Sequence, residues 1–159
     1  MSAAGDGMTA ALALTVLIFV STDCPVSNRY APEIVRLYEQ FTPQGIRFRL
    51  VYPNPLDTPA AIDTHVRAFR LPLAGERDPD HRLVKRAGAT ITPEAAVFDK
   101  NGRLVYIGRI DNRFVELGRE RPAATEHDLR NALSALVAGK PIVPPRTQAV
   151  GCFIADMKP

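Results

Sequence analysis

Tryptophan is absent from this chain and cysteine nearly so: 159 residues carry only Cys24 and Cys152. Two thiols near opposite ends cannot staple a small disulfide-built scaffold, and they lack the clustering of zinc ligands. Three readings stay open for them: two inert buried thiols, one reactive thiol, or a redox pair. Histidine is scarce too. His65, His81 and His127 each fall in an expected helix, and no pair has metal-ligand spacing, so they read as surface residues and neither metal nor cofactor is expected. A large excess of one charge is also missing. The net charge is +3 and the arginines are scattered along the chain, which excludes the basic block of a nucleic-acid binder.

No hydrophobic run is long enough to span a bilayer. Thr9 to Val20 has the length of a signal-peptide core, but only Asp6 is charged before Asp23, so no basic residue precedes it. No small-residue cleavage site follows before Cys24-Pro25. A buried strand accounts better for Leu14 to Val20, with Val16, Ile18 and Val20. The chain as it stands therefore reads as soluble and cytoplasmic, or periplasmic if a longer precursor carried an export signal.

What is present is the material of one compact domain, with 46% apolar and 23% charged residues. A buried strand is expected over Leu12 to Val20. Cys24-Pro25 then opens a helix, with Cys24 as its cap and Pro at the first helical position. Tyr30, Ile34, Leu37, Tyr38 and Phe41 give that helix an apolar face, and Pro32 should kink it. Ile46 to Tyr52 reads as a second strand. Thr58-Pro59 starts a helix with Ile62, Val66 and Phe69 on one face, and Leu71 to Gly75 is a short extended segment. Asp78-Pro79 caps a short helix that stops at Gly88. Thr92-Pro93 leads into a hairpin of Ala95 to Phe98 and Leu104 to Ile107. Arg109 to Pro122 is a polar loop with four arginines, Thr125 and Asp128 form a capping box, and Leu129, Leu133, Leu136 and Val137 face inward from the last helix.

This order, β-α-β-α-α-β-β-α, predicts an α/β fold with a central mixed sheet: parallel strands first, then a C-terminal antiparallel hairpin, flanked by helices. The expected organisation is an N-terminal segment 1–11, a domain over 12–139, and a Pro-rich tail over 140–159 that carries Cys152.

Cys24 is the residue with chemistry. A thiolate is the reactive form of cysteine, and a helix N-terminus favours it, whereas the neighbouring Asp23 would raise the thiol pKa. The end of a buried parallel strand is also where open α/β sheets place their sites. A lone Cys is commonly a small buried hydrophobe. Here Ser21-Thr22-Asp23 and Ser27-Asn28-Arg29 are too polar for a core position, so Cys24 is expected to be accessible and more reactive than Cys152.

With Cys24-Pro25 after Ser21-Thr22-Asp23, then Thr92-Pro93-Glu94-Ala95-Ala96-Val97-Phe98-Asp99, then Val105-Tyr106-Ile107-Gly108-Arg109-Ile110-Asp111, the chain resembles the thioredoxin-like superfamily. More narrowly it resembles the redoxin group, AhpC/TSA and peroxiredoxin-like proteins. Ala138-Gly139-Lys140-Pro141 followed by Gly151-Cys152 is similar to a peroxiredoxin-like bacterial subgroup. The resemblance implies a thioredoxin-like fold and thiol-dependent redox chemistry at Cys24. It also implies that Pro93 is a cis-proline facing the thiol and that Thr92 presents its backbone to an extended substrate. Thioredoxins place a resolving Cys three residues after the first, and that position is Ser27 here. Peroxiredoxins place a Pro where Leu17 stands, a Thr or Ser where Ser21 stands, and an arginine where Pro93 stands. Arg109 or Arg29 would have to replace that arginine.

Three functions follow as expectations. The chain is a thiol oxidoreductase using Cys24 in thiol–disulfide exchange; alternatively a peroxiredoxin-like peroxidase on the same thiol, antioxidant in role; alternatively a non-catalytic thioredoxin-fold binding module or metallochaperone. Cys24 is the nucleophile, and Cys152 is either its resolving partner, as distal C-terminal cysteines are in peroxiredoxin-like relatives, or a tail Cys packed with Val150, Phe153 and Ile154. Ser21, Thr22, Asp23, Pro25, Ser27, Thr92, Pro93 and Arg109 are the candidate substrate-binding residues. The partners implied are a thiol or disulfide, protein or small molecule, or a peroxide; a homodimer is left open, and no nucleic acid or membrane span is expected.

Overall fold

A computed structural model describes residues 13–155. The expected segment 1–11 and the expected strand start at Leu12 lie outside the described residues. Strand β1 (Leu14–Phe19) is the middle strand of a five-stranded sheet. On one side it pairs in parallel with β2 (Ile46–Tyr52), Leu14 opposite Ile46, and β2 pairs in parallel with the three-residue β3 (Gly75–Arg77). On the other side it runs antiparallel to β5 (Glu94–Phe98), which forms the hairpin with β6 (Leu104–Gly108). The mixed sheet is thus the one expected, with parallel strands first and an antiparallel hairpin last. The third strand begins at Gly75, where the expected extended segment ends.

Both faces of this sheet are covered, which is why β1 reads as continuously apolar from Val16 to Phe19. Successive side chains alternate between the faces. Val16, Ile18, Phe48, Leu50 and Val97 belong to the larger core with Ile34, Leu37, Leu129 and Leu133, while Leu17, Phe19, Val51, Ala96 and Phe98 belong to the smaller one with Val84 and Ala87. The larger core is closed by α2 (Ala31–Phe41), α3 (Pro59–Ala68) and α5 (Asp128–Val137), and the smaller by α4 (Arg82–Ala87). Among the described residues, no helix is long and apolar enough to cross a membrane.

Local chemistry explains several boundaries. Thr58 caps α3 by accepting from the Ala61 N–H, and Asp78 caps α4 by accepting from the N–H groups of Leu83 and Val84. Gly88 closes α4 in the left-handed conformation, φ 72°. Gly75 allows β3 to lie against the core, because a Cβ there would come within 2.5 Å of Ile62 and Tyr52 side-chain carbons.

Three expectations are corrected. The helix after Cys24 is two: α1 (Pro25–Arg29) ends at Tyr30, and Pro32 sits in the first turn of α2 rather than kinking a continuous helix. A missing N–H is harmless in that turn. The loop after Arg109 contains a small hairpin, β7 (Phe114–Glu116) with β8 (Arg119–Glu120). Thr125 and Asp128 make no capping box. Asp128 is taken by Arg109, and Thr125 Oγ1 accepts from the Asn112 side chain.

The tail is tied down rather than free. Pro145 O accepts from the Ile107 N–H and Thr147 N–H donates to Ile107 O, so the chain runs along the β6 edge after a cis Val143–Pro144 bond. It then crosses to β4 (Ile91–Thr92), where β9 (Cys152–Phe153) pairs antiparallel with it.

Candidate active site

The chain leaves β1 at Phe19 and turns through Ser21, Thr22 and Asp23 before Cys24. Cys24 keeps an extended backbone, φ −87° and ψ 113°, as the N-cap of α1, with Pro25 at the first helical position. The turn is held from two sides. Ser21 Oγ donates to Asp23 Oδ1 at 2.7 Å, while the Thr22 hydroxyl donates to Asp57 Oδ1 at 2.5 Å and the Thr22 N–H to Asp57 Oδ2 at 3.3 Å. Arg77 donates to the carbonyls of Asp57 and Pro55, fixing the loop that carries Asp57.

Behind this turn runs a buried polar chain. Asn28 Nδ2 donates to the Thr22 carbonyl at 3.4 Å, so its Oδ1 faces His65 Nε2 at 2.7 Å; His65 Nδ1 lies 2.8 Å from the Tyr52 hydroxyl. One tautomer satisfies all of these: Nε2–H donates to Asn28, and Nδ1 accepts from Tyr52. Burial holds the His65 pKa below its ordinary value, with the nearby Asp57 charge opposing, and burial pushes the Tyr52 hydroxyl well up. His65 was expected on the surface, but it is buried between Tyr52 and Phe69, ring centroids 5.6 and 4.8 Å away. A signal for this existed in the sequence, since Ile62, His65 and Phe69 share one helical face. His81 is half-buried just before α4, its Nε2 2.9 Å from Pro53 O, and His127 is exposed before α5. Among the described residues, no group of three or more His, Cys, Asp or Glu is placed to hold a metal ion.

The second wall is the Thr92–Pro93 segment, whose peptide bond is cis. Thr92 O lies 3.3 Å from Cys24 Sγ. The segment is fixed from behind by Glu94, a buried carboxylate whose Oε1 accepts from the N–H groups of Thr90 (2.8 Å) and Ile91 (3.3 Å), and burial raises its pKa.

Cys24 and Cys152 are joined by a disulfide, Cα atoms 6.1 Å apart, inside the span a disulfide bridges without backbone movement. Strand β9 delivers Cys152: Thr92 lies opposite Cys152 and Ile91 opposite Phe153, with the Thr92 hydroxyl donating to Cys152 O at 3.4 Å and Ile154 N–H donating to Thr90 O at 2.9 Å. The approach needs glycine at 151, where a Cβ would sit 2.0 Å from Thr92 O.

This arrangement corrects the expected accessibility of Cys24. The residue is 1% exposed, closed in by α1 and the tail, whereas Cys152 is half-buried and lines a cavity of about 300 Å³ with Ser21, Asp23, Leu56, Thr92 and Phe153. Of the candidate residues, Cys24, Thr92, Pro93 and Cys152 come together, Ser21 and Asp23 line the cavity, and Pro25 and Ser27 lie on α1. Thr22 turns to Asp57. Arg109 is committed elsewhere, its guanidinium held by Asp128 at 2.7 Å and Glu126 at 2.6 Å, and Arg29 pairs with Glu120. Asn28, Tyr52, Asp57, His65 and Glu94 are the supporting residues that sequence reasoning missed.

The AhpC/TSA family model matches residues 9–107. No curated protein matches the chain. Among solved structures, an uncharacterized conserved protein from Geobacillus kaustophilus is 28% identical, with 92% of this chain and 78% of that one covered and a TM-score of 0.80. A secreted Mycobacterium tuberculosis disulfide oxidoreductase, described as homologous to E. coli DsbE, is 18% identical over 85% of this chain and 86% of that one, TM-score 0.55. A thioredoxin-like protein in its oxidized form is 18% identical over 80% of each chain, TM-score 0.59. The last two likenesses concern the fold alone, and that fold is thioredoxin-like.

Proposed function

The chain belongs to the AhpC/TSA family, and from that premise we propose that it is a thiol–disulfide oxidoreductase working through a Cys24–Cys152 pair. One observation carries this reading: the two cysteines, far apart in sequence, are joined beside the Thr92 carbonyl and the cis-proline. In the oxidising direction, the Cys24 thiolate attacks a substrate disulfide and forms a mixed disulfide, releasing one substrate thiol. Cys152 then attacks Cys24 Sγ; the internal disulfide forms and the second substrate thiol leaves. Ser27 cannot take that second role, because its oxygen forms no such bond. The oxidised pair is restored to its dithiol form by a separate step, in which a dithiol reductant reaches the half-exposed Cys152 before the buried Cys24.

Peroxide reduction is less well supported. The family arginine position is Pro93, and the guanidinium groups of Arg29 and Arg109 are each occupied by carboxylates. Competition separates the readings. Reduced protein is offered glutathione disulfide or hydrogen peroxide, and loss of free Cys24 is followed by mass spectrometry. Faster loss with the disulfide is expected. Faster loss with peroxide would replace exchange by a peroxidase, and no loss with either would leave a binding module.

A further inference from the structure

Asn28 holds the backbone of Cys24 from both sides. Its N–H donates to the Cys24 carbonyl at 3.0 Å, opening α1, and its side-chain Nδ2 donates to the Thr22 carbonyl at 3.4 Å, two residues before the cysteine. The Thr22 carbonyl can only accept, so it dictates the direction of every bond behind it. Asn28 must turn Nδ2 toward Thr22 and Oδ1 toward His65; His65 Nε2 must then donate to Oδ1 at 2.7 Å. That leaves Nδ1 of the neutral ring to accept from the Tyr52 hydroxyl at 2.8 Å. The far end of this line is anchored in the core, because Tyr52 is fully buried at the end of β2. A chain of donors thus runs one way, from β2 through α3 and α1 to the turn that carries Cys24.

Protonation breaks the line at one place. An imidazolium carries hydrogen on both nitrogens, so Nδ1 no longer accepts, and the buried Tyr52 hydroxyl loses its acceptor. The groups that face the ring are Tyr52 of β2, Asn28 of α1, Phe69 at the end of α3 and the charge of Asp57 in the loop before α3. Asp57 itself holds Thr22, so both supports of the turn lie beside His65. Resting on the reading of Cys24 as the attacking thiol, we propose that Asn28, oriented by neutral His65, is the positioning residue that holds Cys24 for attack on a substrate disulfide, and that protonating His65 loosens that hold. Attack on a disulfide needs the sulfur held in line, so a loosened cap costs rate.

The test uses the full chain carrying Cys152→Ser, so that Cys24 reacts alone. Mixed-disulfide formation with glutathione disulfide is timed from pH 5 to pH 8, and each rate is divided by the iodoacetamide alkylation rate of the same thiol. The thiolate fraction is common to both and cancels. The ratio should be level above pH 7 and fall roughly fivefold toward pH 5, the factor one net hydrogen bond supplies. His65→Gln, which keeps an amide to meet Asn28 but cannot titrate, should hold the high value at every pH. Asn28→Ala and His65→Leu should sit roughly fivefold low and flat throughout. Should His65→Leu fail to fold, Asn28→Ala and the unsubstituted pH profile decide. A ratio independent of pH, an Asn28→Ala ratio equal to that of the unsubstituted residue, or a His65→Gln ratio that still falls overturns the proposal. Failure of the exchange reading is distinct: Cys24 then takes up no glutathione at any pH, and this proposal falls with it, whereas uptake with a flat ratio removes this proposal alone.

Discussion

The two cysteines sit in unlike seats. Cys24 closes the end of the central strand, roofed by α1 and braced by Asp57, Asn28 and His65. Cys152 rides on a two-residue strand at the end of the tail, held to β4 by a short ladder and flanked by Phe153, which is 82% exposed. One seat is part of the hydrophobic core and the other is laid across it. On the proposed redox-pair reading that difference has a use: the rigid side would fix geometry, and the lightly held side would leave when the bond opens, uncovering the Thr92 backbone.

The difference can be broken first at the bond itself. Removing either cysteine from the oxidised protein cancels a cross-link closing 128 positions of chain, and should cost about 4–5 kcal/mol in denaturant unfolding. Under reducing conditions the two variants should separate. Cys24→Ser places a hydroxyl in a core position and should lose about 1–3 kcal/mol, while Cys152→Ser should match wild type. Equal losses in reductant would erase the contrast between the seats.

The packing on each side gives the next test. Ile34→Ala, beneath the Cys24 side, should lose about 2–5 kcal/mol, and Phe153→Ala on the tail less than about 0.5 kcal/mol. Gly151→Ala sharpens the contrast from the tail side. Its Cβ overlaps the Thr92 carbonyl, so diamide-driven closure of the disulfide should slow by roughly tenfold as the local concentration of Cys152 falls. Global stability of the reduced protein should hardly change.

A smaller effect belongs to His65. Its folded pKa is depressed, so the fold prefers the neutral ring while the unfolded chain takes up a proton near pH 6.5. Unfolded chains then bind more protons, and stability should decline as pH falls below about 6.5 toward the lower folded value. His65→Gln should flatten that part of the pH–stability curve. A wild-type curve without this decline would mean that His65 is charged in the fold, contrary to its bonding with Tyr52 and Asn28.

Much of the scaffold was legible because its signals are local. The apolar run of β1, the Cys-Pro helix start, the Thr58 and Asp78 caps and the β5–β6 hairpin each announce themselves within a few residues. What escaped is held by distant partners. β3 has no alternation to read in Gly75-Glu76-Arg77, and exists because Leu50, Val51 and Tyr52 pair with it. The Thr125–Asp128 spacing suggests a capping box, yet a better partner for Asp128 arrives from Arg109. At the site, the place of Cys24 as a helix cap was readable, and its burial was not. The tail that covers it depends on a two-residue pairing and on the absence of a side chain at Gly151.

The pairing of Cys24 with Cys152 is tested most directly by a non-reducing peptide map. The full chain is reduced, oxidised with diamide, alkylated and digested. A linked peptide joining Cys24 to Cys152 within a single chain is the predicted product. Cys24 recovered as a sulfenic or glutathionylated species with Cys152 still free, or a link found only between two chains, would contradict it.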